Sequence, residues 1–128
     1  MSKEVLSIDY PKNAEGRKEW NRRYGTNAYW SGKHHAVRAK DAQYWHELTW
    51  AAMAKAQCRK HPFEKPVVIT FLWNDNLDLD NHSMMAKMIV DALKPRVIAN
   101  DSRKYVHGIE HYWHEHPCIK IIIQEVER

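Results

Sequence analysis

The sequence is poor in cysteine, glycine and phenylalanine, with two, four and two of them among 128 residues. Cys58 and Cys118 make neither a disulfide framework nor a Cys-x-x-Cys pair, so both are expected as free thiols in a reducing compartment. Four Gly and five Pro exclude collagen-like and low-complexity chains. No run approaches the roughly 20 apolar residues of a membrane span, and Met1 to Tyr10 carries charge where a signal peptide has its apolar core. A cytoplasmic protein with no membrane partner is the expectation. The length suits one domain over residues 1–128, and 44% apolar residues suffice for a core without disulfide or metal staples.

Charge and ring-bearing residues are what the chain has in quantity. Residues 1–66 hold 13 Lys and Arg against 7 Asp and Glu, whereas residues 67–128 hold 7 against 9. A basic half suits phosphate contacts, although a solvated basic surface would look the same. Nine His and six Trp supply groups that ligate metal, stack on bases or fill a core.

Val5 to Tyr10 reads as a first strand stopped by Pro11. Residues 12–38 form a long polar, basic and aromatic stretch with no evident regular structure, a length that points to function or disorder. From Ala39 to Arg59, Trp45, Leu48, Thr49, Ala52, Met53 and Ala56 recur at helical spacing. Val67 to Trp73 reads as a buried strand. A second helix follows, capped by Asp80 or Asn81, with Met84, Met85, Met88, Ile89, Ala92 and Leu93 on its apolar face and Pro95 at its end. Tyr105 to Trp113 is a further strand with Val106, Ile109 and Trp113 on its buried side, and Ile119 to Val126 is the last. This order predicts an α+β domain: a single mixed sheet with two main helices packed on it.

The segment Asp78-Leu79-Asp80-Asn81 carries the chemistry. In an extended segment residues two apart point the same way, so Asp78 and Asp80 would converge while Leu79 faces the core. Paired carboxylates repel until a divalent cation joins them, and hard oxygen donors suit Mg²⁺ or Mn²⁺. Asp101, in the Asn100-Asp101-Ser102 turn, would add a third carboxylate. Lys87, four residues before Asp91, would neutralise charge developing on a phosphoryl group. Loop, cap and surface-pair roles for these same residues remain open at this point.

These residues resemble a family. Asp78-Leu79-Asp80-Asn81, then Lys87 to Leu93, then Asn100-Asp101 are similar to the signature of RusA-type Holliday junction resolvases, often encoded by prophages. That signature is an Asp-x-Asp-Asn motif, a helix carrying Lys and Asp-Ala-Leu, and an Asp-Asp pair about ten residues later. The resemblance implies that Asp78, Asp80 and Asp101 bind Mg²⁺, with Mn²⁺ able to substitute, and that Lys87 joins them in catalysis. It implies an intertwined homodimer that resolves four-way DNA junctions by paired phosphodiester hydrolysis, in DNA recombination and repair. The chain departs from the pattern twice: five residues separate Asn81 from Lys87 where the tightest pattern has two, and Asn100 replaces the first Asp of the pair.

Arg17, Lys18, Arg22, Arg23, Lys33 and Arg38, interleaved with Trp20, Tyr24, Tyr29 and Trp30, are the DNA-contact candidates. Cations would meet phosphates, and rings such as Tyr29 would stack on unpaired bases. A Zn²⁺ site among His107, His111, His114 and His116 is a weaker alternative, lacking a cysteine pair. A non-catalytic nucleic-acid-binding protein with a structural acidic segment is the other reading.

Overall fold

The computed structural model describes residues 2–126 and has one four-stranded mixed sheet with helices on one face. Strands β1 (Lys3–Asp9), β2 (Val67–Trp73), β3 (Val106–Trp113) and β4 (Cys118–Glu125) lie in the order β1-β4-β2-β3. Antiparallel pairing joins β4 to β1 and to β2, while β2 and β3 run parallel. Parallel neighbours need a crossover, here supplied by helix α4 (Ser83–Leu93). The other helices are α1 (Ala14–Tyr24), α2 (Thr26–Trp30) and α3 (His35–Lys55).

Alternation sets the core. Val67, Ile69, Phe71 and Trp73 of β2 are buried with Ile119, Ile121 and Ile123 of β4 and Leu6 and Ile8 of β1. The α3 stripe of Trp45, Thr49, Ala52 and Met53 joins Met85, Met88, Ile89 and Leu93 of α4 in that core. Cys58 and Cys118 are free thiols, and burial pushes the Cys58 thiol up to about 11.

Three expectations change. The polar stretch over residues 12–38 is largely helical: Asn13 accepts the Gly16 amide, Arg22 and Arg23 sit in the last turn of α1, and Trp20 and Tyr24 pack its inner side into the core. Neither Asp80 nor Asn81 caps α4, because a 3₁₀ turn, Leu79–His82, intervenes and puts His82 at the cap. Ile109 and Trp113 are not buried: β3 is an edge strand that α3 and α4 leave largely uncovered, and both residues are nearly half exposed.

Candidate functional site

The acidic loop leaves β2 at the buried Trp73 and is fixed from beneath. Tyr10, at the end of β1, donates its hydroxyl to Asp75 at 2.8 Å and accepts the Asn74 amide at 2.8 Å. Asp75 also accepts the Leu77 amide at 3.0 Å. The wholly buried His82 sets Nε2 at 2.9 Å from both Asp75 oxygens and donates from Nδ1 to the Leu79 carbonyl, an acceptor only, at 2.9 Å. Its ring packs on Trp73, with Trp113 edge-on. Burial first, and the charge of Asp75 further down the scale, raise the Tyr10 phenol far above its ordinary value.

Asp78 and Asp80 ride on this buried frame and are exposed. Asp78 is extended, with its carbonyl accepting the Asn81 amide at 2.9 Å, and Asp80 lies inside the 3₁₀ turn. Strand alternation therefore does not relate the two carboxylates; a tight turn does. Neither carboxylate has a hydrogen-bond or ion-pair partner among the described residues.

Asn81 joins the acidic loop to the basic segment. Its side-chain oxygen accepts the Asn27 amide of α2 at 2.8 Å, and the Thr26 hydroxyl accepts the Met84 amide of α4 at 3.3 Å. α2 thus has an N-terminal amide bonded by a side chain of the 3₁₀ turn before α4, and α4 has one bonded by a side chain of α2, with Ser83 meeting Thr26 between them. Gly25 makes the approach possible, since a Cβ there would stand 2.9 Å from the Asn81 amide nitrogen and 3.1 Å from Leu77.

The basic segment is partly internal. Asp41, fully buried on α3, accepts Arg23 Nε at 3.0 Å and the Tyr29 hydroxyl at 2.8 Å and pairs with Lys33. Lys33 also donates to the Arg23 carbonyl at 2.6 Å and lies over the Tyr29 ring. Burial and the Asp41 carboxylate push the Tyr29 phenol well up, and the same carboxylate raises Arg23. Of the DNA-contact candidates, Arg23, Tyr29 and Lys33 are committed to this hub. Arg22 pairs with Glu19 at the surface, Arg17 donates to the carbonyls of Pro11 and Lys12, and Lys18 and Arg38 have no ion pair among the described residues.

The far end of α4 is arranged differently. Lys94 reaches Asp101 at 3.3 Å and Asp91 at 3.5 Å, and Lys87 reaches Asp91 at 3.2 Å. Partial burial lowers the Lys94 ammonium, but the hydrogen bond and charge of Asp101, then Asp91, outweigh it and the net shift is upward. An 11-residue helix is about 16 Å long, and Asp101 contacts its last turn while Asp78 and Asp80 precede its first. The expected third carboxylate is therefore not brought to the other two within the chain. Lys87 is 65% exposed and faces Asp91 rather than the acidic loop.

Two of the histidines of residues 107–116 have partners of other kinds. His111 accepts the Trp73 indole N–H at 3.0 Å and stacks on Phe71, and burial, then the charge of His82, lowers it below its ordinary value. His114 meets the Cys118 carbonyl at 2.5 Å. Among the described residues no three or more His, Cys, Asp or Glu are grouped to hold a metal ion, and no helix is long and apolar enough to cross a membrane.

Asp75, His82, Asp41 and Lys94 are the site-building residues that sequence reasoning missed. Asp41 had a signal, since it stands four residues before Trp45 on the buried stripe. The chain matches no model of a known protein family and no curated protein.

Proposed function

We propose that the chain is a Mg²⁺-dependent, structure-selective endodeoxyribonuclease that resolves Holliday junctions and related branched DNA as a homodimer. The observation that carries this reading is the reciprocal capping of α2 by Asn81 and of α4 by Thr26. It joins the turn that carries two unpartnered carboxylates to the basic segment. Junction substrate, dimer and DNA cleavage come from the resemblance of residues 78–101 to the RusA-type resolvases.

Asp78 and Asp80 fit Mg²⁺ in donor type, since this ion is commonly held by one or two carboxylates with water completing its shell. Bound there, it would supply a lowered pKa for water and charge neutralisation at a phosphodiester. The chain's own contribution is orientation: Asp75 and His82 fix the turn that presents Asp80, and Lys18 and Arg38 offer charge for flanking phosphates. Lys87 acts as a surface partner of Asp91.

A second reading, a nucleic-acid-binding protein without cleavage, is favoured by one observation: the attachment of Asp101 to Lys94 at the opposite end of α4. Incubation with a synthetic four-way junction and with linear duplex, with and without Mg²⁺, separates the two. The nuclease reading expects symmetric nicks in the junction only when Mg²⁺ is present. Binding with no product at any Mg²⁺ concentration would replace it with the second.

A further inference from the structure

The end of β1, the first turns of α1 and residues 74–76 enclose a cleft of about 1000 Å³, at the upper end of the range for small-molecule sites. Its polar lining is mixed. Lys12, Arg17 and Lys18 bring positive charge, and Arg17 is held by Nη1 on the Pro11 and Lys12 carbonyls at 3.2 and 3.1 Å, with its other nitrogens unengaged among the described residues. Three carboxamides stand beside them. Asn74 spends its amide N–H on the His116 carbonyl at 3.0 Å and keeps its oxygen, Asn76 is exposed with no partner among the described residues, and the Asn21 oxygen is buried without one. Trp20 and Tyr10 close its floor but are buried in the core, so they offer no open ring face. Asp75 also lines the cleft, but Tyr10, Leu77 and His82 already occupy its oxygens, so it offers little to a cation; Asp9 is the other carboxylate.

Cations take phosphate and carboxamides match the mixed donor and acceptor edge of a base. Carboxamides also read the major-groove edge of a paired base, but a cleft of about 1000 Å³ admits a single nucleotide and not a duplex, so the base it takes is an unpaired one. We infer that this cleft receives one unpaired nucleotide of a branched DNA strand. The inference rests on the nucleic-acid reading given above and adds to it a specificity site. Asn76 lies two residues before Asp78, so the occupant would sit next to the carboxylates proposed to hold metal.

Fluorescence anisotropy in EDTA, where cleavage does not intervene, tests this with a labelled fully paired four-way junction and the same junction carrying one unpaired cytidine at the branch. The unpaired nucleotide should tighten binding about tenfold, the size of one well-made base contact. Asn76→Leu, an exposed substitution, and Arg17→Gln should each remove most of that advantage, and retention of the full advantage by both variants would overturn the cleft's role. Equal affinity of the wild-type protein for both junctions would overturn the cleft's role while leaving the nucleic-acid reading intact. No binding to either junction would overturn both. Micromolar binding of free deoxycytidine monophosphate without any junction advantage would overturn the assignment to a DNA strand.

Discussion

At the N-terminal end of α4, Asp78 and Asp80 stand exposed with no cation against them, whereas at its C-terminal end Asp91 and Asp101 share the ammonium of Lys94. The same helix therefore separates carboxylates whose charge is still available from carboxylates already neutralised. What differs is the support. The N-terminal end rests on buried groups, Asp75, His82 and Tyr10, that use their hydrogen bonds to shape a turn, and it is capped onto α2. The C-terminal end is held by partly exposed ion pairs, which contribute little to stability. Charge that is rigidly presented and unpaired is what a metal site needs, and only one end offers it.

The largest expected effect comes from removing that charge. Asp80→Asn should reduce junction cleavage by on the order of a hundredfold or more while leaving junction binding equal or tighter, since one negative charge no longer repels phosphate. Cleavage and anisotropy on the same preparation check this, and a wild-type rate would take the acidic loop out of the chemistry. Next is the hub that holds the basic segment. Asp41→Leu should destabilise the fold by about 3 kcal/mol, the low end for breaking a buried pair because Arg23 is 41% exposed and can rehydrate. Denaturant midpoints measure it.

Asn81→Ala removes one cap and should cost about 1 kcal/mol, with cleavage falling more than stability if the cap also aligns the two segments. A loss in stability alone would sever the link between α2 and the acidic loop. A smaller effect is expected from pH. His111 is lowered below 6.5 by burial and by His82, so the unfolded chain takes up this proton more readily than the folded one. Its contribution is fully present above pH 6.5 and is lost as pH falls from there through the folded value. His111→Phe should flatten the difference in denaturant midpoint between pH 7.5 and 5.5. The smallest effect belongs to Lys87→Met: with Lys87 65% exposed beside Asp91, cleavage should change by less than about threefold. A hundredfold loss would restore Lys87 to the place the resemblance gives it.

The parts legible in the sequence are those where one physical term dominates. β2 runs over Val67–Trp73 as read, because every second side chain is driven into the core. The α3 stripe was legible for the same reason, except that Asp41 extends it as a buried charge, which pattern reading treats as an interruption. α1 is hard to read because its buried side is only Trp20 and Tyr24, too few positions to show a helical period, while Asn13, Glu15, Arg22 and Arg23 support its ends. Val106, Ile109 and Trp113 of β3 look like core in the sequence, yet edge position, which leaves Ile109 and Trp113 exposed, is a property of strand order that composition does not carry. For the site, the motif marked Asp78, Asp80 and Asn81, but spacing along a chain does not give distance along a helix axis. Asp101 therefore looked close when α4 holds it away.

Metal localisation tests the contrast between the two ends of α4 most directly. In a Mn²⁺ titration followed by amide resonance broadening, the strongest broadening should fall on residues 76–83 and on Thr26 and Asn27, with Lys94 to Ser102 affected least. Broadening centred on Asp101, or equal at both ends of the helix, would contradict the account.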